Sequence, residues 1–110
     1  MKVDQKGHTT IIKDTQNNVE VFVDKITNKY QTFQGQNLIL DVLHDKSLSN
    51  KDLIHFKELA KIHKKSKKSM LIISDSIDFD KVPNYLIVVP SVLEAHDMIE
   101  MDEIERDLGF

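Results

Sequence analysis

Residues Leu38 to Leu43 read LILDVL, an almost unbroken apolar run with Asp41 inside it. A strand half-exposed to water alternates apolar with polar side chains, whereas a near-continuous run marks a strand covered on both faces. That single run restricts the chain to a layered α/β arrangement, in which helices pack on a sheet. Met70 to Ser74 and Tyr85 to Val89 repeat the short apolar pattern and are expected to be further buried strands.

The rest of the chain supplies the covering helices. Val19, Phe22, Val23, Ile26, Tyr30 and Phe33 fall on one helical stripe, capped by Asp14 or Thr15 and stopped by Gly35. Ser49-Asn50-Lys51-Asp52 matches a capping box, with Asp52 in place of the commoner glutamate. The helix it starts turns Leu53, Phe56, Ala60 and His63 to the core, flanked by Leu59 and Ile62, with Lys57, Lys61, Lys64, Lys65 and Lys68 opposite. Ser91 and Glu94 open the last helix, which carries Val92, Ala95, His96 and Ile99. Asp102 and Glu105 recap a final segment that ends at Gly109. Before all of these, Val3–Lys6 and Thr9–Lys13 form a hairpin about Lys6-Gly7-His8. Residues 75–84 are polar, contain Pro83, and have room for at most a turn of helix.

The expected fold is therefore a single α/β domain over residues 1–110. It has a mixed sheet of about five strands, the first hairpin antiparallel and the later strands parallel, packed with about three to four helices. A length of 110 residues supports one modest core, and three glycines with two prolines argue against a turn-rich all-β fold.

Charge and composition exclude several function classes. The net charge of −3 gives no overall attraction to nucleic acid. No apolar stretch approaches the roughly 20 residues of a membrane helix, and MKVDQKGHTT lacks a signal-peptide core, so a cytoplasmic protein without a membrane partner is expected. The absence of cysteine removes disulfides and thiolate metal sites. Charge is nevertheless polarised along the chain. Residues 51–68 hold seven lysines against Asp52 and Glu58, and residues 94–107 hold seven acidic side chains against Arg106. The two lobes are suited to attract one another within one chain or between the copies of a homodimer. The lysines also complement a helix carboxyl end, and they lack the interleaved aromatics of a nucleic-acid site.

Catalytic constellations are missing. The five histidines (His8, His44, His55, His63, His96) form no metal-binding pair motif, and His55 and His63 stand too far apart on one helix to share an ion. There is no nucleophile elbow and no glycine-rich phosphate loop. No catalytic residue, metal or cofactor is expected. What the pattern does single out is the loop after the central strand, because α/β proteins place working residues beyond the carboxyl ends of their strands. The candidate functional residues are His44, Asp45, Ser47, Ser49, Asn50, Lys51 and Asp52.

The order of elements, with LILDV leading through this loop into a capped helix that ends HKKSKK, resembles the STAS domain of bacterial anti-sigma-factor antagonists. The resemblance takes in Leu38–Val42, the loop to Asp52, the helix with Leu53, Leu59 and His63, the strand Met70–Ser74, and Leu93-Glu94-Ala95 in the last helix. It implies a non-enzymatic regulatory module that binds a protein partner, an anti-sigma factor or similar regulator, through the loop and the start of the next helix. In that family a phosphorylatable serine stands at the helix start. Here the segment reads Asn50-Lys51-Asp52-Leu53, so Asp52 occupies or adjoins the place of the serine. Segment 75–84 is also shorter than the family's corresponding crossover. The tail VPSVLEAHDMIEMDEIERDLGF is similar to that of short bacterial proteins encoded beside ribonuclease Z, which implies as an alternative an accessory role in RNA processing. The metal constellation of that nuclease is absent from the chain.

Overall fold

Leu38, Ile39 and Leu40 are fully buried, and their strand is the middle one of five. In the computed structural model, which describes residues 1–109, the strands are β1 (Lys2–Lys6), β2 (Thr9–Lys13), β3 (Asn37–Asp41), β4 (Met70–Ile73) and β5 (Val88–Val89). Helices α1 (Val19–Asn28) and α2 (Tyr30–Phe33) join β2 to β3. A 3₁₀ segment (Asn50–Phe56) running into α3 (Lys57–Lys64) joins β3 to β4, and α4 (Val92–Asp107) follows β5. The sheet order is that of the chain, β1-β2-β3-β4-β5, with β1–β2 antiparallel and every later pair parallel. This is the expected mixed α/β sheet.

The topology explains which face each helix covers. The crossovers β2→β3 and β3→β4 step across the sheet in the same direction, so connections of one hand place α1 and α3 on one face. Accordingly Ile12, Leu38, Leu40 and Ile72 point into a cluster with Phe22, Ile26, Leu53, Phe56 and Leu59. The alternate side chains Ile39, Leu71, Ile73 and Val89 meet Ala95 and Ile99 of α4 on the other face. The period of two along each strand thus divides the core into two layers.

Several local details differ from expectation. The first helix is capped by Asn18, whose side chain accepts from the Val21 N–H at 3.1 Å. Asp14 instead holds the preceding turn by accepting from the Gln16 and Asn18 N–H groups. The helix also breaks at Lys29, with α2 resuming the apolar stripe as one short turn to Phe33. After Ser49 the chain winds as 3₁₀, not α. Three residues per turn bring Leu53 and Phe56 onto one line, and α3 continues the buried side with Leu59 and His63 while Ile62 is 40% exposed. The last strand shortens to Val88–Val89. Finally, α4 runs without interruption to Asp107. Asp102 does not recap it but accepts from the Ser69 hydroxyl at 2.8 Å, tying the helix to the sheet.

Candidate functional site

Beyond Asp41 the chain leaves the carboxyl end of β3 and makes a tight loop to Ser49. Val42 and Leu48 are buried at its two ends and fix its base in the core. Between them Asp45 is also buried, at 6% exposure. Its carboxylate accepts from both the Ser47 N–H (3.1 Å) and the Ser47 hydroxyl (2.6 Å), and its own N–H donates to the Val42 carbonyl. An aspartate turned in this way mimics a backbone turn and sets the loop's shape. His44, Lys46, Ser47 and Ser49 are exposed.

A second loop, following β4, braces the first. The Ser76 hydroxyl donates to the Leu48 carbonyl at 2.7 Å. Asn50 makes a reciprocal pair with Asp78, its Nδ2 donating to the Asp78 carbonyl and its Oδ1 accepting from the Asp78 N–H, both at 2.8 Å. Lys46 and Asp75 close the outer side with an ion pair at 2.6 Å. That contact is exposed, so it contributes little energy compared with the Asn50 and Ser76 bonds.

Asp52 completes the site. One oxygen of its carboxylate accepts from the Ser49 N–H at 2.8 Å and from the Ser49 hydroxyl at 3.2 Å. The acidic half of the anticipated capping box is therefore in place at the start of the 3₁₀ segment. Lys51 beside it is fully outward. Of the seven candidate residues, His44, Ser47, Ser49 and Lys51 present side chains to solvent. Asp45, Asn50 and Asp52 hold the loop in position.

The far end of the same helical unit is anchored by a titratable pair, buried His63 and half-buried Tyr30. The Tyr30 hydroxyl lies 2.7 Å from Nδ1 of His63, with the two rings edge to face. The Ser66 hydroxyl donates to the His63 carbonyl at 2.6 Å and so holds the end of the helix beside this pair. Burial holds His63 below its ordinary pKa of 6.5, against an opposing pull from the backbone of Gln36 and Ser69. Burial likewise raises Tyr30. Nε2 nevertheless has no hydrogen-bond partner of good geometry, so protonating this ring would leave a charge enclosed.

The loop was legible in the sequence as the connection after a doubly buried strand. Its brace was not, because the Asn50–Asp78 and Ser76–Leu48 contacts link residues 28 apart. Only the high content of serine and aspartate in 74–80 hinted at a structured turn. Among the described residues no group of three or more histidine, aspartate or glutamate side chains is placed to share a metal ion. No family model matches the chain, and no curated protein matches it.

Proposed function

We propose that this chain is a STAS-like, non-enzymatic module that binds a regulatory protein of the anti-sigma-factor kind through the loop 44–52. The observation that supports this is the braced loop at the carboxyl end of the central strand. Buried Asp45 and the Asn50–Asp78 pair set its backbone, while His44, Ser47, Ser49 and Lys51 are offered outward. A preformed loop loses little conformational freedom on binding, which favours recognition by shape. The absence of nucleophile, phosphate-loop and metal motifs from the sequence supports a binding role over a catalytic one.

In this reading Asp52 gives the helix start a permanent carboxylate where related modules are switched by serine phosphorylation. The carboxylate already accepts from Ser49, so its part is to fix the loop's exit. A cytoplasmic site of action goes with this role. No helix among the described residues is long and apolar enough to cross a membrane.

The test is calorimetric titration of the chain with a purified anti-sigma factor from the same genome. Replacing His44 and Lys51 together by alanine leaves both the Asp45–Ser47 turn and the brace intact and is expected to weaken binding about tenfold or more, as loss of contact residues does. Binding of equal strength by the double variant, or none by the parent chain, counts against the proposal.

A further inference from the structure

The basic and acidic lobes do not neutralise each other within the chain. Among the described residues, no ion pair joins a lysine of 51–68 to an acid of 94–107. The lysines instead flank an open groove of about 510 Å³. Lys57, Lys61, Lys64 and Lys68 stand on its α3 side, and Arg106 lies across from them on α4. Its floor includes Ala60, Met70 and Ile87, and Lys57 sits 5.9 Å above the Tyr85 ring. The lining is mostly apolar with a cationic rim, and the volume falls within the range of about 300–1,000 Å³ typical of occupied sites. Only Asp102 contributes a carboxylate, and it already accepts from Ser69.

The complementary surface belongs to the same molecule. Ala95, Ile99, Asp102 and Arg106 form the inward seam of α4. Leu93, Met101, Ile104 and Leu108 each lie two residues from a seam position, about 200° around the helix, and so point directly away. They are 71%, 62%, 54% and 66% exposed. Glu94, Glu100, Glu105 and Asp107 flank them and Asp97 stands between Leu93 and Met101, all exposed. This apolar stripe, edged by carboxylates and crossed by one, has no partner among the described residues. Two such stripes cannot pair with one another without setting their acidic edges side by side, and like-charge juxtaposition rejects that arrangement.

We infer that the outer face of α4 docks into the lysine-rimmed groove of a second copy of this chain. Leu93, Met101, Ile104 and Leu108 supply the apolar contact, and the carboxylates meet Lys57, Lys61, Lys64 and Lys68. The two surfaces differ, so the contact is reciprocal in a twofold dimer or head-to-tail in a longer array. The inference is independent of the loop reading, since neither surface includes residues 44–52.

Sedimentation of the full chain tests it. The parent is expected to associate in about 0.05 M salt and to bind itself about tenfold or more weakly in about 0.5 M salt, where charges are screened over a few ångströms. Lys61→Glu with Lys64→Glu, and separately Glu100→Lys with Glu105→Lys, each yield monomers. Mixing these two variants restores the complex, because the reversed groove meets a reversed stripe. All four positions are exposed, and circular dichroism verifies folding. Met101→Ser with Ile104→Ser provides an uncharged check and is expected to be monomeric at either salt. A parent that stays monomeric at low salt overturns the inference. So does association that survives either charge reversal or the serine pair, or a mixture that fails to reassociate.

Discussion

The two faces of the sheet are covered unequally. On one, α1, the 3₁₀ segment and α3 enclose a large cluster that includes Phe22, Phe33 and Phe56. On the other, α4 alone covers Ile39, Leu71, Ile73 and Val89, with buried Ala95 and Ile99 and the partly buried Val92 and Met98. The helices of the first face turn mainly polar side chains outward, with isolated exceptions at Val21, Ile54 and Ile62. The second has a helix that is apolar inward and apolar outward as well. The heavily packed face holds the loop in place, and the lightly packed one retains apolar surface for use elsewhere. The proposed contact between copies therefore joins the outer side of α4 to a groove walled by α3 of the packed face.

The contrast can be broken by core truncations. Phe56→Ala is expected to cost about 3–5 kcal/mol and Ile99→Ala only about 2–3 kcal/mol, as read from urea unfolding. Equal costs would mean that α4 is as integral as α3. Amide exchange gives a finer view of the same point, with α4 expected to exchange ahead of α1 and β3 because fewer buried contacts hold it.

The second effect in size distinguishes the faces by pH. His63 belongs to the packed face and is held below its ordinary pKa of 6.5. The unfolded chain therefore binds the proton more readily than the folded one. The stability due to the neutral ring is fully present above pH 6.5 and is lost as pH falls below that value toward the folded pKa. Unfolding midpoints measured from about pH 7.5 down to about pH 5 are expected to fall, and His63→Gln to flatten the decline. A slope unchanged by that substitution would place the acid sensitivity elsewhere.

Smaller still is the cap. Asp52→Ala removes the acceptor for Ser49 and is expected to cost about 0.5–2 kcal/mol, with Asp52→Asn costing less. Smallest is Met101→Ser on the outer face of α4, expected to change the stability of the isolated chain by no more than about 0.5 kcal/mol. A larger loss at Met101 would show that this face is already engaged within the fold.

Much of this architecture could be read from the residues. The doubly buried run at Leu38–Val42 dictated a covered sheet, and chain order with right-handed crossovers dictated its parallel pairs. The core side of the helix after Ser49 was legible, with Leu53, Phe56 and His63 buried and Ala60 packed against the core, whereas its flanks were not: Leu59 is buried and Ile62 is 40% exposed. The chain starts there as 3₁₀, which repeats every three residues and not every 3.6. The break at Lys29 was hidden because α2 continues the apolar spacing on a new axis. The seven loop residues were legible as a group, but their division into outward and structural members depended on residues 76 and 78. The groove was half visible, its lysines plain in the sequence and its floor of Met70, Tyr85 and Ile87 gathered only by folding.

The agreement between sheet order and chain order bears on how the protein is made. Each strand pairs with the one synthesised just before it, so no partner has to wait for a distant segment. Loop-closure costs stay low at every step, and assembly can follow emergence from the ribosome from β1 onward. α4 follows all five strands in the chain and seals the thinner layer. Until α4 is in place Ile39, Leu71 and Ile73 lack their helical cover, and transiently exposed apolar surface of that kind favours aggregation.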